Sequence, residues 1–237
     1  MPPVPGSLCK VGHRGAPREY PANTMSSFRR AVELGCEMVE TDVRLSIDRV
    51  PVLSHDSDVT DKAGKSCLVA DHTAESLARL DLGAGEGVPS LHELASWAAG
   101  RCGVMADMKC EEDQIERKVI EALSNLGTDR KVAPGASEES RARFRGIDPA
   151  FPLSLTINYD MMACWSEPGV ERLIDGLDVD MVTWEWPLLN ANRIRRMQNR
   201  GIRVYAWTVD DIDEMRRLAA DGVDGIISNR PDLLAQL

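Results

Sequence analysis

The chain has 237 residues and carries 38 Asp and Glu against 28 Lys and Arg, a formal net charge of -10. That balance excludes a nucleic-acid surface, which needs clustered Lys and Arg, so any anionic substrate must be met by a local positive site. No apolar run approaches the ~20 residues of a membrane span, and Met1–Ser7 lacks the charged start and apolar stretch of a secretion signal. A cytoplasmic protein with no transmembrane segment is expected.

Cysteines stand at 9, 36, 67, 102, 110 and 164, with no Cys-x-x-Cys spacing. They are expected as reduced, mostly buried thiols, because a chain of this length can fill a core without covalent staples.

Taken in order, residues 10–13 read as a short strand that ends in Gly12-His13-Arg14-Gly15. Residues 24–34 read as a helix with Phe28, Ala31 and Val32 on one face, capped by Asn23 or Thr24 and ended by Gly35. A second strand covers 38–43, and an extended piece at 50–53 leads to His55. Residues 56–88 are polar and glycine-containing, with one helical patch at 74–80, and are expected as a small insertion within a single domain spanning 1–237. Helical patterns at 91–97, 112–126, 137–144, 170–177, 190–199 and 212–221 then alternate with strands at 103–108, 131–133, 153–157, 180–184, 202–208 and 224–228.

Setting 50–53 aside, eight strand segments alternate with helices, which implies parallel strands joined by helical crossovers. The expected fold is α/β, a single (β/α)8 TIM barrel with a small insertion after the second strand; a doubly wound open sheet is the alternative. Barrel sites form at the carboxyl ends of strands, and His13, Asp42, Asp107, Trp184, Trp207 and Ser228 all fall there in this parse.

The chemistry gathers between residues 11 and 56. Strand side chains alternate with period two, so Glu40 and Asp42 project from one face of 38–43, and Asp107 and Lys109 alternate in the same way at the end of 103–108. Neighbouring carboxylates in otherwise apolar strands repel one another and need a cation. An all-oxygen ligand set favours one hard divalent ion, Mg²⁺ or Ca²⁺, over Zn²⁺. His13 and His55 offer imidazoles for proton transfer near neutral pH, and Arg14 adds a permanent charge suited to a phosphate oxygen. The set describes a site for a small-molecule phosphodiester. Trp207 at the rim suits stacking on a substrate, and Trp184-Glu185-Trp186 is a weaker candidate; His72 and His92 are read as structural.

In sequence order, His13-Arg14-Gly15, Pro21-Ala22-Asn23-Thr24, Phe28, Ala31, Gly35, Glu40-Thr41-Asp42 and His55-Asp56 resemble the glycerophosphodiester phosphodiesterase family. So do Asp107-Met108-Lys109, Trp207-Thr208-Val209 and Gly222-Val223-Asp224-Gly225-Ile226-Ile227 with Asn229 and Pro231-Asp232, so the resemblance runs nearly end to end. It implies a (β/α)8 barrel that hydrolyses glycerophosphodiesters to glycerol 3-phosphate and an alcohol with a divalent metal. In that reading Glu40, Asp42 and Asp107 hold the metal, His13 and His55 are catalytic, and Arg14, Lys109 and Trp207 bind substrate. The chain departs from the family pattern at Ala22, where a glutamate is usual and Glu19 is the candidate substitute, at Asp61, where arginine is common, at Asp210, where asparagine is common, and at Asp107, where glutamate is more usual. The aspartate at 107 is also similar to the sphingomyelinase D relatives, so a phospholipase D-like transferase forming a cyclic phosphate stands as the alternative, beside a non-catalytic barrel that binds a phosphorylated metabolite.

Overall fold

The computed structural model describes residues 8–112, 114–134, 137–164, 167–177 and 179–237; Met1–Ser7, read above for a leader, lies outside them. In chain order the elements are β1 (Cys9–His13), α1 (Met25–Glu33), β2 (Met38–Leu45), β3 (Pro51–Leu53), β4 (Asp58–Thr60), β5 (Ser66–Leu68), α2 (Ala74–Ala78), α3 (Leu91–Ala98) and β6 (Gly103–Met108). There follow α4 (Ile115–Ala122), β7 (Lys131–Val132), α5 (Glu138–Ile147), β8 (Ser154–Ile157), α6 (Tyr159–Cys164), α7 (Glu167–Gly176), β9 (Met181–Glu185), α8 (Ala191–Gln198), β10 (Arg203–Trp207), α9 (Ile212–Asp221), β11 (Gly225–Ser228) and α10 (Pro231–Leu234).

Eight strands pair in parallel along the path β7-β6-β2-β1-β11-β10-β9-β8. The seam between β7 and β8 is closed by one parallel bridge, Ala133 to Leu153, with the Ser154 N–H donating to the Ala133 carbonyl at 3.0 Å. This is the expected (β/α)8 barrel, and the open-sheet alternative is excluded by that seam. Period-two alternation sorts each strand into two environments. Cys9, Val11, Met38, Met105, Val132, Met181, Tyr205 and Ile227 pack together as the barrel interior, while their strand neighbours, such as Val39, Val104, Val182, Trp184, Val204 and Ile226, join the larger core under the helices. Gly225 makes room for one of these interior side chains: a Cβ there would lie 2.5 Å from the Tyr205 ring.

Helix α1 is capped by Thr24, whose Oγ1 accepts the Ser27 N–H. Asn23, the other candidate cap, is turned instead toward the acidic strand β2. Segment 50–53 forms β3, which runs antiparallel to β2 and so adds no barrel strand. The insertion holds more than the single helical patch expected. It forms a β4–β5 hairpin, a helical turn at Val69–Asp71 and α2, around a small core of Val52, Val59, Val69, Leu77 and Val88. No helix among the described residues is long and apolar enough to cross a membrane.

The outer layer includes a buried carboxylate. Glu116 on α4 accepts the Ser140 hydroxyl at 2.7 Å and Arg143 Nε at 2.9 Å, both from α5. Burial works against its ionised form, but the hydrogen bonds from Arg143, Ser140 and its own backbone outweigh that and hold the carboxyl below the usual range. A depressed folded value means that the stabilisation is present above the unfolded carboxylate range and is lost as pH falls through the folded value. Glu116→Ala is therefore expected to cost about 1–3 kcal/mol at neutral pH by stranding the buried Ser140 hydroxyl. The gap from wild type should shrink below about pH 4; urea melts at two pH values check both.

Candidate active site

The carboxyl ends of the barrel strands enclose a cavity of about 410 Å³ whose lining includes His13, Arg14, Glu40, His55, Asp107, Lys109 and Trp207. Register explains the convergence. His13 pairs with Glu40 across β1 and β2, and Asp42 pairs with Asp107 across β2 and β6, so inward-facing positions of three adjacent strands meet on two successive levels at the strand ends. Glu40, Asp42 and Asp107 bring carboxylate oxygens within 4.8 Å of one another. Glu40 and Asp42 are buried.

This clustering is electrostatically costly, and its marks are visible. Burial, followed by repulsion from Asp42 and Asp107, pushes the Glu40 carboxyl well above its ordinary value. Burial likewise raises Asp107, against the attraction of Lys109. Lys109 Nζ sits 2.6 Å from Asp107 Oδ2 and 3.3 Å from Asp42 Oδ1; burial disfavours its charge, but Asp107, Asp42 and Glu40 more than compensate and its pKa rises. Arg14 Nε lies 2.9 Å from Asp42 Oδ2. Neither Arg14 Nε nor Asp42 Oδ1 makes an aligned hydrogen bond. A buried carboxylate oxygen with a cation nearby but an unused lone pair suits a metal ion, and a donor set of oxygens alone suits Mg²⁺ or Ca²⁺.

Local backbone geometry sets these groups in place. Arg14 and Asn23 both adopt left-handed conformations, with φ of 56° and 60°. The Arg14 N–H is shared between the Glu40 carbonyl at 3.0 Å and Glu40 Oε2 at 3.1 Å. Gly15 follows at φ 86°, and a Cβ there would fall 2.4 Å from Ser27 Oγ, so only glycine lets this loop lie against α1. Asn23 donates Nδ2–H to Asp42 Oδ2 at 2.9 Å, while its Oδ1 accepts the Thr41 hydroxyl at 2.9 Å and the Asp42 N–H at 3.3 Å. It orients the acidic strand rather than capping a helix.

The two histidines differ. The His13 side chain is 18% exposed and His55 is 42% exposed. Burial lowers the His13 pKa, against an opposing hydrogen bond from Nδ1 to Asn229 Oδ1 at 2.7 Å. Its Nε2 lies 3.7 Å from Glu40 Oε2. His55 follows β3, with Nδ1 2.8 Å from Asp56 Oδ1 and its carbonyl accepting Arg44 Nε at 3.0 Å. Asp56 is held below the usual carboxylate range by that bond and the charge of His55.

The residues expected to be catalytic or to bind substrate line this cavity, as do Glu40 and Asp107 of the expected metal ligands, with Asp42 beside them; three weaker candidates lie elsewhere. Trp184 is buried under α8 with Arg193 stacked 5.0 Å above its ring, and it does not line the cavity. Trp186 packs against the same outer core. Glu19 cannot replace the glutamate missing at Ala22, because it pairs with Arg30 Nε at 2.7 Å on the outer side of α1. Trp207 does line the cavity, its indole N–H donating to the Thr183 carbonyl at 3.3 Å. Sequence reasoning missed the other wall of the cavity, which includes Met105, Pro134, Thr156, Thr183 and Ile227. It also missed the contact that Asn229 makes with the His13 ring.

A family model described as the Glycerophosphoryl diester phosphodiesterase family matches residues 13–233. The chain is 26% identical over 244 residues to the glycerophosphodiester phosphodiesterase of Caldanaerobacter subterraneus subsp. tengcongensis, covering 96% of each chain. It is 24% identical over 256 residues to the glycerophosphodiester phosphodiesterase of Bacillus subtilis, covering 97% of this chain and 86% of that one. Among solved structures it is similar to an Oleispira antarctica phosphodiesterase in complex with the product sn-glycerol-3-phosphate, with TM-score 0.83, 21% identity and coverage of 96% and 95%. A glycerophosphodiester phosphodiesterase from Agrobacterium tumefaciens gives TM-score 0.78, 24% identity and coverage of 98% and 100%. These structural likenesses establish the shared barrel.

Cation binding is expected to be visible without turnover. Chelator-treated protein should gain about 2.7 kcal/mol of stability when Mg²⁺ or Ca²⁺ is raised to a hundredfold above its dissociation constant, and Asp42→Asn or Asp107→Asn should remove most of that gain. Thermal melts that do not move with either ion would rule the site out.

Proposed function

Because the chain belongs to the glycerophosphoryl diester phosphodiesterase family, and is thereby a phosphoric diester hydrolase, we propose that it cleaves glycerophosphodiesters to glycerol 3-phosphate and an alcohol by histidine acid–base chemistry. The observation that carries this reading is one cavity lined by two histidines, two cations and Glu40 and Asp107 of the acidic cluster, with Asp42 beside them. Glu40, Asp42 and Asp107 would hold one divalent cation, Mg²⁺ or Ca²⁺, which when bound supplies positive charge for a nonbridging phosphate oxygen. Arg14 and Lys109 stand beside that cluster with charge for the remaining oxygens. Trp207 offers a ring face, its N–H already satisfied by Thr183.

His13 acts as base or nucleophile through Nε2, since its Nδ1 is engaged by Asn229. His55, on the solvent side, protonates the departing alkoxide, a poor leaving group without a proton. Asp56 holds the His55 ring by Nδ1 and leaves Nε2 for that transfer.

His13→Ala and His55→Ala are each expected to lower turnover on the order of 10² to 10⁴ fold, with the cation-dependent stabilisation retained. Phosphorus NMR with glycerophosphocholine, glycerophosphoethanolamine and lysophosphatidylcholine, in Mg²⁺, Ca²⁺ or chelator, reads the chemistry. Cation-dependent glycerol 3-phosphate from the small diesters supports the proposal. A cyclic phosphate from the lysolipid would assign the protein to the transferase reading instead, and undiminished turnover in either histidine variant would refute the catalytic role of that histidine.

A further inference from the structure

The carboxyl ends of three adjacent strands carry a chain of hydrogen bonds, of which the proposed reaction invokes only the last link, from Asn229 to His13. Asp210 follows β10, Asn229 follows β11 and His13 ends β1, and these strands are neighbours in the barrel. Asp210 Oδ1 accepts the Ser228 hydroxyl at 3.0 Å and the Asn229 N–H at 2.8 Å. Its Oδ2 accepts Asn229 Nδ2–H at 2.8 Å. Asn229 Oδ1 then faces His13 Nδ1 at 2.7 Å.

Each link has only one workable polarity. A carboxylate accepts and cannot donate, so it fixes the Asn229 amide with the NH₂ toward Asp210 and the oxygen toward His13. An amide oxygen also only accepts, so the hydrogen of a neutral imidazole must sit on Nδ1. The lone pair is then left on Nε2, the nitrogen 3.7 Å from Glu40 Oε2 and facing the acidic cluster. We propose that Asp210 and Asn229 are positioning residues that lock His13 in its Nδ1–H tautomer and aim the Nε2 lone pair into the cavity. The part that His13 plays in the reaction rests on the function proposed above, whereas the tautomer does not.

Asp210 hydrogen-bonds to Asn229 and Ser228 and not to His13, so it sets the tautomer through the amide orientation, while its charge also acts on His13 across space. Exchanging the two residues preserves the polarity. In the double variant Asp210→Asn with Asn229→Asp, the carboxylate at 229 accepts from both the new amide and His13 Nδ1, and the amide oxygen at 210 accepts from Ser228 and the backbone.

Long-range proton–nitrogen NMR of the full-length ¹⁵N-labelled protein, at mildly alkaline pH where neutral imidazole dominates, reports which His13 nitrogen carries the hydrogen. Nδ1–H is expected in the wild type and in the exchanged double variant, and a shift toward Nε2–H in Asn229→Ala. Turnover of Asn229→Ala should fall about 10- to 100-fold, the usual cost of losing an orienting partner, with kcat affected more than KM and with recovery in the double variant. A wild-type His13 protonated at Nε2, an Asn229→Ala protein that keeps Nδ1–H, or a folded double variant that loses it would each overturn the proposal. A tautomer that shifts while kcat stays unchanged would uphold the relay and remove His13 from the reaction instead.

Discussion

The repulsion among Glu40, Asp42 and Asp107 is the constraint to which the rest of the site answers. Their oxygens lie within 4.8 Å of one another at the end of a barrel whose interior is otherwise apolar, and like charges so placed are tolerated only when opposite charge or directed hydrogen bonds surround them. Arg14 and Asn23 serve that need from the loop between β1 and α1, and Lys109 from the loop after β6. The left-handed turns at Arg14 and Asn23 carry their own conformational cost, and it is offset where backbone and side chain are bound to the acidic strand. Asp42 Oδ1, buried and 3.3 Å from Lys109 Nζ, makes no aligned hydrogen bond and keeps a lone pair turned to the cluster.

Barrel geometry makes the cluster possible at all. Parallel pairing with His13 opposite Glu40 and Asp42 opposite Asp107 places four functional groups from β1, β2 and β6 on two successive inward levels at the strand ends. Val11 and Met38 lie one level below, and with Met105 and Ile227 from the cavity wall they make an apolar surround that strengthens the charge interactions beside it. The same alternation that supplies this surround sends Val39, Val104 and Ala106 outward to the helices, so stability and the site draw on opposite faces of the same strands.

This parity is why much of the molecule was legible in its sequence. Glu40, Asp42 and Asp107 are isolated acids in apolar strands, and counting by two places them on one wall before any coordinate is known. Trp184 shows how the same logic fails. The strand read as ending at 184 runs to Glu185, and an offset of one residue reverses which side chain faces inward, so Thr183 lines the cavity and Trp184 joins the outer core. The tasks of Asn23, Asp210 and Asn229 were illegible for a different reason. They sit in loops, where no period applies, and the Asn229–His13 contact joins positions 216 apart in the chain. The β4–β5 hairpin was hidden as well, since three-residue strands are too short for alternation to register.

The two histidines reach the cavity by unlike routes, and the difference bears on the order of events. His13 ends a barrel strand and is tied through Asn229 to Asp210. His55 lies beyond β3, outside the parallel sheet, held by Arg44 and Asp56 and more than twice as exposed. A group that has given its proton to an alkoxide must recover one from solvent before the next turnover, and the exposed position allows this without opening the barrel. The residue at the buried wall has the opposite requirement: its reacting nitrogen must hold one orientation against competing carboxylates, which a chain of fixed hydrogen bonds supplies. Under the proposed chemistry the division of labour between base and acid follows from which histidine the barrel encloses and which the insertion leaves at its edge.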